Sequence, residues 1–305
     1  MKINFKWLQA PEIKNLIKAL TISNKLTFKF VGGCVRDSIL GSTPKDFDIA
    51  STLLPLENIE LLKAHNIKVI PLAIDYGTII AVINNYKFEI TTLRKDIKNY
   101  GRKADVKFTT SFKEDALRRD FTINALYLDP NSVEITDYFN GINDLKKGNI
   151  TFIKDSKQRI NEDYLRILRF VRFYTYYGKN KITMLEKQIL KSNVSKLLNL
   201  SKERINLELQ KIIIHKNATK GIKLLNNLGI SLLLFKQEKL NYTALSKLKL
   251  LAEHHNITIP YILTWLALLN KQITIAEIAL QLNLTREEKK LIKVQLHLQK
   301  ILKLY

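Results

Sequence analysis

The sequence predicts an α+β chain, with a mixed β-sheet and helices in an N-terminal head and an all-α arm after it. Two observations predict this. Up to about residue 150, strand-like runs, turn residues and short helical patterns alternate. From about Lys154 onward only the 3.6-residue periodicity of amphipathic helices remains. The 305 residues exceed one usual domain, and 46% apolar content is ample for the cores.

Each element has a local reason. Residues 27–31 read as a strand running into Gly32-Gly33, with a short helix over 34–40. Residues 46–50 alternate, so Asp46 and Asp48 share one face while Phe47 and Ile49 point to a core. Strands at 78–83 and 86–93 flank Asn84-Asn85, a tight hairpin turn. On the second of these, Phe88 and Ile90 face the core, and Lys87, Glu89 and Thr91 the opposite side. Residues 124–129 and 133–137 add two strands around Pro130-Asn131-Ser132. Helical periodicity covers 162–177, 182–200, 204–215 and 285–304. Ser111/Glu114 and Thr285/Glu288 have capping-box spacing. The simplest division is a head at 1–145, a helical neck at 146–220 and a helical body at 221–305, with the seam between Asp144 and Thr151.

The formal net charge of +22 suggests a polyanionic partner, of which nucleic acid is the commonest. The Lys-, Ile- and Asn-rich composition can supply part of that charge without function. No apolar run reaches the ~18 residues of a membrane span. Residues 1–10 lack the apolar block of a signal peptide. The lone Cys34 excludes an internal disulfide and a multi-Cys zinc site. A cytoplasmic protein with no membrane and no obligate protein partner is expected.

The chemistry concentrates in Phe30-Val-Gly-Gly-Cys-Val-Arg-Asp and the Asp46-Phe-Asp48 that follows. Gly32 and Gly33 let backbone approach a ligand closely. The helix start and Arg36 suit a phosphate. Two carboxylates on one face suit Mg²⁺, which usually takes one or two carboxylates plus substrate phosphates. Gly-Gly alone, or Asp-x-Asp alone, would read as a turn and a pair of solvated side chains.

Together these motifs resemble the opening of the class II tRNA nucleotidyltransferases and bacterial poly(A) polymerases, within the polymerase beta nucleotidyltransferase superfamily. The resemblance implies catalytic carboxylates Asp46 and Asp48 holding Mg²⁺ in a two-metal site, and nucleotide contacts from Gly32, Gly33 and Arg36. Glu89, in Glu-Ile-Thr-Thr-Leu-Arg, would be a third catalytic carboxylate; the bland reading is a solvated strand residue. Asp115-Ala-Leu-Arg-Arg-Asp-Phe-Thr-Ile-Asn-Ala resembles the second segment, with Arg119 on the triphosphate and Asp120 and Asn124 on the ribose or bracing the loop. Residues 137–145 resemble the third segment and imply positioning, with Gly141 suiting a turn. Residues 94–108 stand where the family has its flexible loop, with Tyr100 in place of an expected Asp.

Glu162-Asp163-Tyr-Leu-Arg166 resembles the family's base-reading template. Asp only accepts and Arg only donates. An adjacent Asp163/Arg166 pair therefore matches the amino donor and ring-nitrogen acceptor of cytosine and adenine, and mismatches guanine and uracil. Arg169 and Arg172 would help hold the nucleotide; the bland reading is a salt-bridged surface helix. Residues 201–212 resemble the fifth segment, with Glu203 and Arg204 bracing the neck. The resemblance runs from about Phe30 to Ile213, and residues after about 220 carry no motif.

The implied activity is template-independent addition of CCA to the tRNA 3′ end from CTP and ATP, with tRNA held at its 3′ end and acceptor stem and pyrophosphate released. The same motifs admit a poly(A) polymerase, a CC-only or A-only enzyme, and an inactive RNA-binding homologue.

Overall fold

The computed structural model describes residues 5–22, 25–100, 103–257 and 259–269, together with 286, 287 and 290. Backbone contacts divide the chain into two units, Met1–Glu162 and Asp163–Tyr305.

The first unit carries strands β1 (Thr21–Ile22), β2 (Lys25–Leu26), β3 (Phe28–Val31), β4 (Phe47–Ser51), β5 (Lys68–Ala73), β6 (Thr78–Ile83), β7 (Tyr86–Thr92), β8 (Arg94–Tyr100), β9 (Lys103–Phe108), β10 (Leu126–Leu128) and β11 (Ile135–Asp137). Its helices are α1 (Pro11–Ala19), α2 (Gly33–Ile39), α3 (Pro55–Ala64), α4 (Phe112–Arg118), α5 (Gly141–Lys147) and α6 (Ser156–Glu162). Seven strands form one sheet in the order β11-β10-β3-β4-β7-β6-β5, and β8 and β9 make a separate hairpin. Only the β4–β7 pairing in the large sheet is parallel. Alternation buries one face: Phe28, Phe30, Phe47, Ile49, Phe88 and Ile90 are all nearly inaccessible. Trp7 packs against Phe30 and Phe47 with ring centroids 4.8 and 5.1 Å away.

The six strands expected from the sequence are all present, with ends shifted by a residue or two. The hairpin at Asn84-Asn85 closes with Ile83 opposite Tyr86, and Asn84 takes a positive φ of 51°. Strand β5 is not signalled by alternation, because it is an outer strand and most of it is exposed. Its Pro71 sits at a register shift, where a missing N–H is tolerated. The Ser111 box forms by half: Ser111 Oγ accepts from Glu114 N, while Glu114 bonds Thr109 and Lys95.

The second unit is helical: α7 (Leu165–Tyr177), α8 (Met184–Ser192), α9 (Lys202–Ile214), α10 (Ala218–Leu228), α11 (Ile230–Phe235), α12 (Tyr242–His254) and α13 (Tyr261–Leu268). Helix α10 packs on α7 and α9 at Gly221, where a Cβ would lie 2.3 Å from Thr175 Oγ1 and 2.6 Å from Ile212 Cγ2. Two expected helices are shorter than the periodicity suggests. The helix expected over 162–177 is interrupted at Asp163 and Tyr164, so α6 ends where α7 has yet to begin. The one expected over 182–200 stops at Asn193, whose side-chain amide donates to the Ile189 carbonyl, and a 3₁₀ segment Val194–Asn199 follows. Apart from residues 286, 287 and 290, the helix expected over 285–304 lies outside the described residues, as do Thr285 and Glu288 of its box, the side chain of Tyr100 and the tip of the loop at 101–102.

Candidate active site

The site in the first unit assembles around the turn after β3. Gly32 adopts φ +74°, a left-handed conformation that favours glycine. A Cβ there would lie 3.6 Å from the Asn124 carbonyl, 3.7 Å from Arg119 Nη1 and 3.7 Å from Asp48 Oδ2. Segments far apart in the chain thus meet at one glycine.

Asp46 and Asp48 flank the buried Phe47, and both are exposed. Asp48 pairs in register with Glu89 across the parallel β4–β7 ladder, so the two carboxylates sit on neighbouring strands and one face. Asp48 opens to solvent yet lies deep enough among its neighbours that burial is the largest influence on it. Its carboxyl is raised by that burial, pulled back by Arg119 and Arg36, and pushed up by Asp46. Glu89 is raised by burial and by Asp48 and Asp46, against Arg94. Three carboxylates thus share a field with unneutralised negative charge, which suits a hard cation. Among the described residues no three His, Cys, Asp or Glu side chains converge closely enough to hold an ion alone.

The cationic side is rigid. Arg36, midway along the seven-residue α2, donates from Nη1 to Asn124 Oδ1 at 2.5 Å and from Nε to Asp37 at 2.9 Å. Gly33 opens that helix, with Arg36 Nη2 3.6 Å from where its Cβ would be. Asn124 in turn donates to Asp120 Oδ1 at 3.0 Å, and Asp120 accepts from Phe121 N at 2.9 Å. Asp120 and Asn124 therefore brace the loop. Arg119 donates from Nε and Nη2 to Asp115 Oδ2 and from Nε to Tyr127 Oη.

Sequence reasoning missed the groups that hold Arg119. Asp115 is 1% exposed and accepts from Arg118, Arg119 and Tyr127. Burial pushes its carboxyl up, but the two guanidiniums and the Tyr127 hydroxyl outweigh it and hold it at about 2. Arg159, 2% exposed, donates from Nη2 to the Arg118 and Arg119 carbonyls and from Nη1 to Glu162. The i, i+4 spacing of Asp115 and Arg119 was a legible signal. The reach of Arg159 to the Arg118 and Arg119 carbonyls had none, since these lie 41 and 40 residues away. Gly141 is used differently from expectation. It starts α5 and permits close approach: a Cβ would sit 2.3 Å from the Thr122 carbonyl oxygen. Asp137 accepts from the N–H groups of Gly141 and Ile142, and Thr122 donates to Asp144, so the third segment braces the second.

In the second unit Asp163 precedes α7 instead of lying within it. Its Oδ1 accepts from Leu165 N at 3.1 Å and its Oδ2 from Arg204 Nη2 at 2.8 Å. The Arg166 N–H donates to the Asp163 carbonyl at 3.0 Å. Arg169 lies over the Phe173 ring, and Arg172 donates from Nε to the buried Glu208 at 2.6 Å. Arg204 thus fixes the Asp163 carboxylate from α9.

Residues 28–151 match the family described as "Poly A polymerase head domain", and residues 186–239 match "Probable RNA and SrmB- binding site of polymerase A". The chain is 36% identical over 297 residues to "CCA tRNA nucleotidyltransferase 1, mitochondrial" of Mus musculus, covering 93% of this chain and 67% of that protein. This chain belongs to the CCA-adding tRNA nucleotidyltransferase family. The Homo sapiens protein of the same name is 39% identical over 236 residues, covering 73% of this chain and 54% of that one. A solved relative, a tRNA nucleotidyltransferase complexed with a primer tRNA and an incoming ATP analog, superimposes with a TM-score of 0.72 at 26% identity, over 91% of this chain and 83% of that one. The chain spans about half to two thirds of the length of the curated relatives in the family it matches. No helix among the described residues is long and apolar enough to cross a membrane.

Proposed function

We propose that this chain adds CCA to the 3′ end of tRNA, taking CTP and then ATP and releasing pyrophosphate. The observation that carries the reading is the meeting at Gly32 of Asp48, Arg119 and Asn124: one negative and one positive group beside a backbone that a ligand can approach. Family membership supports the tRNA and nucleotide substrates.

The primer 3′-oxygen attacks the α-phosphorus, the O3′–P bond forms, and the bond to the β-phosphate oxygen breaks. Asp46 and Asp48 would hold Mg²⁺, with Glu89 adding negative charge beside them. A Mg²⁺ ion held there would supply a lowered pKa for the attacking hydroxyl and neutralising charge for the triphosphate. Arg119 stabilises charge on the triphosphate. Its guanidinium is held by Asp115 and Tyr127, so little reorganisation is needed as that charge develops. Asp163, oriented by Arg204, and Arg166 read the base edge, while Arg169 and Arg172 support the nucleotide. A site built to pair polar edges rejects bases that leave those edges unpaired.

The experiment is extension of a tRNA lacking its CCA end, with each nucleoside triphosphate alone and in mixtures, read at single-nucleotide resolution. Addition of two C residues and one A, then a stop, is the expected result. A long A ladder would make the chain a poly(A) polymerase, and a stop after two C residues would make it a CC-adding enzyme.

A further inference from the structure

One row of residues crosses the large sheet in register. Tyr127 of β10 stands opposite Val31 of β3, Val31 opposite Asp48 of β4, Asp48 opposite Glu89 of β7, Glu89 opposite Ile80 of β6, and Ile80 opposite Ile70 of β5. Residues paired across strands share a face, so the whole row lies on the face that carries the carboxylates. Its character changes along its length. At one end Tyr127 accepts from Arg119, on the cationic side of the site. Asp48 and Glu89 form the middle. The far end is apolar and open: Ile70 is 41% exposed and Ile80 is half-buried, whereas Ile79 and Ala81 on the other face of β6 are fully buried. Two residues along the same three strands, Lys87, Val82 and Lys68 stand opposite one another, with both lysines exposed.

Core packing does not account for Ile80 and Ile70, because the core lies on the other face. Exposed apolar side chains grouped on neighbouring strands mark a contact surface. Its place relative to the carboxylates says what it contacts. In phosphoryl transfer the attacking and leaving oxygens stand roughly in line, on opposite sides of the phosphorus. Arg36 and Arg119 reach the site from the β3 and β10 side of Asp48, through Asn124, Gly32 and Tyr127, so the leaving pyrophosphate belongs on that side. The attacking 3′-oxygen then arrives from the β7 side, and the nucleoside that carries it extends over β6 and β5. Adjacent strands are about 4.8 Å apart, which sets Ile80 and Ile70 roughly 5 and 10 Å beyond Glu89. Every base has an apolar face that can lie on such a surface. Two lysines beside it match a nucleoside followed by a phosphate better than an apolar peptide.

We propose that Ile80 and Ile70 form a ledge on the head that seats the last nucleoside of the primer strand, with Lys87 and Lys68 beside its phosphates, so that the 3′-oxygen is presented to Asp48 and Glu89. The proposal rests on the nucleotidyl transfer to RNA proposed above, but not on which nucleotides are added.

The test has two arms, both on the full-length protein. In the first, tRNA lacking CCA and ending in 4-thiouridine is bound without nucleotides and irradiated, so turnover plays no part. Crosslinks are expected in the tryptic peptide Val69–Lys87, which carries both strands of the ledge. The second arm compares Ile70→Thr/Ile80→Thr, which keeps β-branching and strand propensity, with the control Ile22→Thr/Leu56→Thr, at two exposed apolar residues elsewhere on the head. The ledge variant is expected to add the first nucleotide at least about fivefold more slowly, the scale of one or two methylene groups losing their cover, with the KM for CTP within about twofold of the parent's. The control should stay within about twofold in both. Crosslinks confined to other peptides would overturn the proposal. So would a raised KM for CTP at an unchanged rate, which would put the ledge on the incoming-nucleotide side, or an equal loss in the control. If the parent extends no tRNA at all, the functional reading fails, and the crosslink alone still decides whether the RNA terminus lies on the ledge.

Discussion

Replacing Asp115 by Asn removes one negative charge from a buried cluster of the head while keeping the side chain's size. The parent carboxylate accepts from Arg118 Nε at 2.7 Å, Arg119 Nη2 at 3.0 Å and Tyr127 Oη at 2.7 Å. Its pKa is lowered from 3.8 to about 2. At 1.36 kcal/mol per pKa unit, that lowering corresponds to roughly 2 kcal/mol of folding stability. Because the folded-state pKa is the lower one, the contribution is fully present above pH 4 and is lost as pH falls from about 4 to about 2. Removing one partner of a buried ion pair costs roughly 3–5 kcal/mol. Asn keeps one acceptor, so a loss of about 2–3 kcal/mol at pH 7 is expected. The assay is urea unfolding followed by the fluorescence of Trp7, which packs on the head sheet, in a Trp265→Phe background. The variant's midpoint should fall well below the parent's at pH 7, and the gap should narrow below pH 4. Equal midpoints at pH 7, or a gap independent of pH, would refute the assignment of Asp115 as the ionised anchor of Arg119.

Asp48→Ala should reduce extension by several orders of magnitude while tRNA affinity, measured by gel shift, stays within a few-fold; near-normal turnover would remove the metal-ligand assignment. Gly141→Ala should destabilise the head by roughly 1–3 kcal/mol, because a Cβ 2.3 Å from the Thr122 carbonyl oxygen forces backbone to move, and urea midpoints read this directly. Arg159→Lys keeps the charge but loses the guanidinium fork that serves two carbonyls. It should raise the KM for nucleotides with tRNA Kd unchanged; a change in tRNA Kd alone would show that Arg159 acts elsewhere. Burial pushes the Cys34 thiol up to about 12, so a thiol reagent at pH 8 should label it only on unfolding, and rapid native labelling would contradict its placement.

By itself the sequence determined those features that depend on local spacing. Period-2 alternation put Phe47 and Ile49 on the buried face and Asp46 and Asp48 on the other, and the structure has the same partition. The six strands and the Asn84-Asn85 turn were legible for the same reason, as were α7 and α9 from the 3.6-residue period. Edge strand β5 was not, because exposure removes the alternation that burial imposes. The break at Asp163 was not either, since apolar periodicity continues across it while the Arg204 contact that engages its carboxylate comes from α9. Tertiary structure alone decided what meets at Gly32, that Tyr127 joins Asp115 in holding Arg119, and how the Arg118 and Arg119 carbonyls are satisfied by Arg159. The physical reason is shared: these pairings follow from strand order and from how the segments pack, which the periodicity of a local window does not encode.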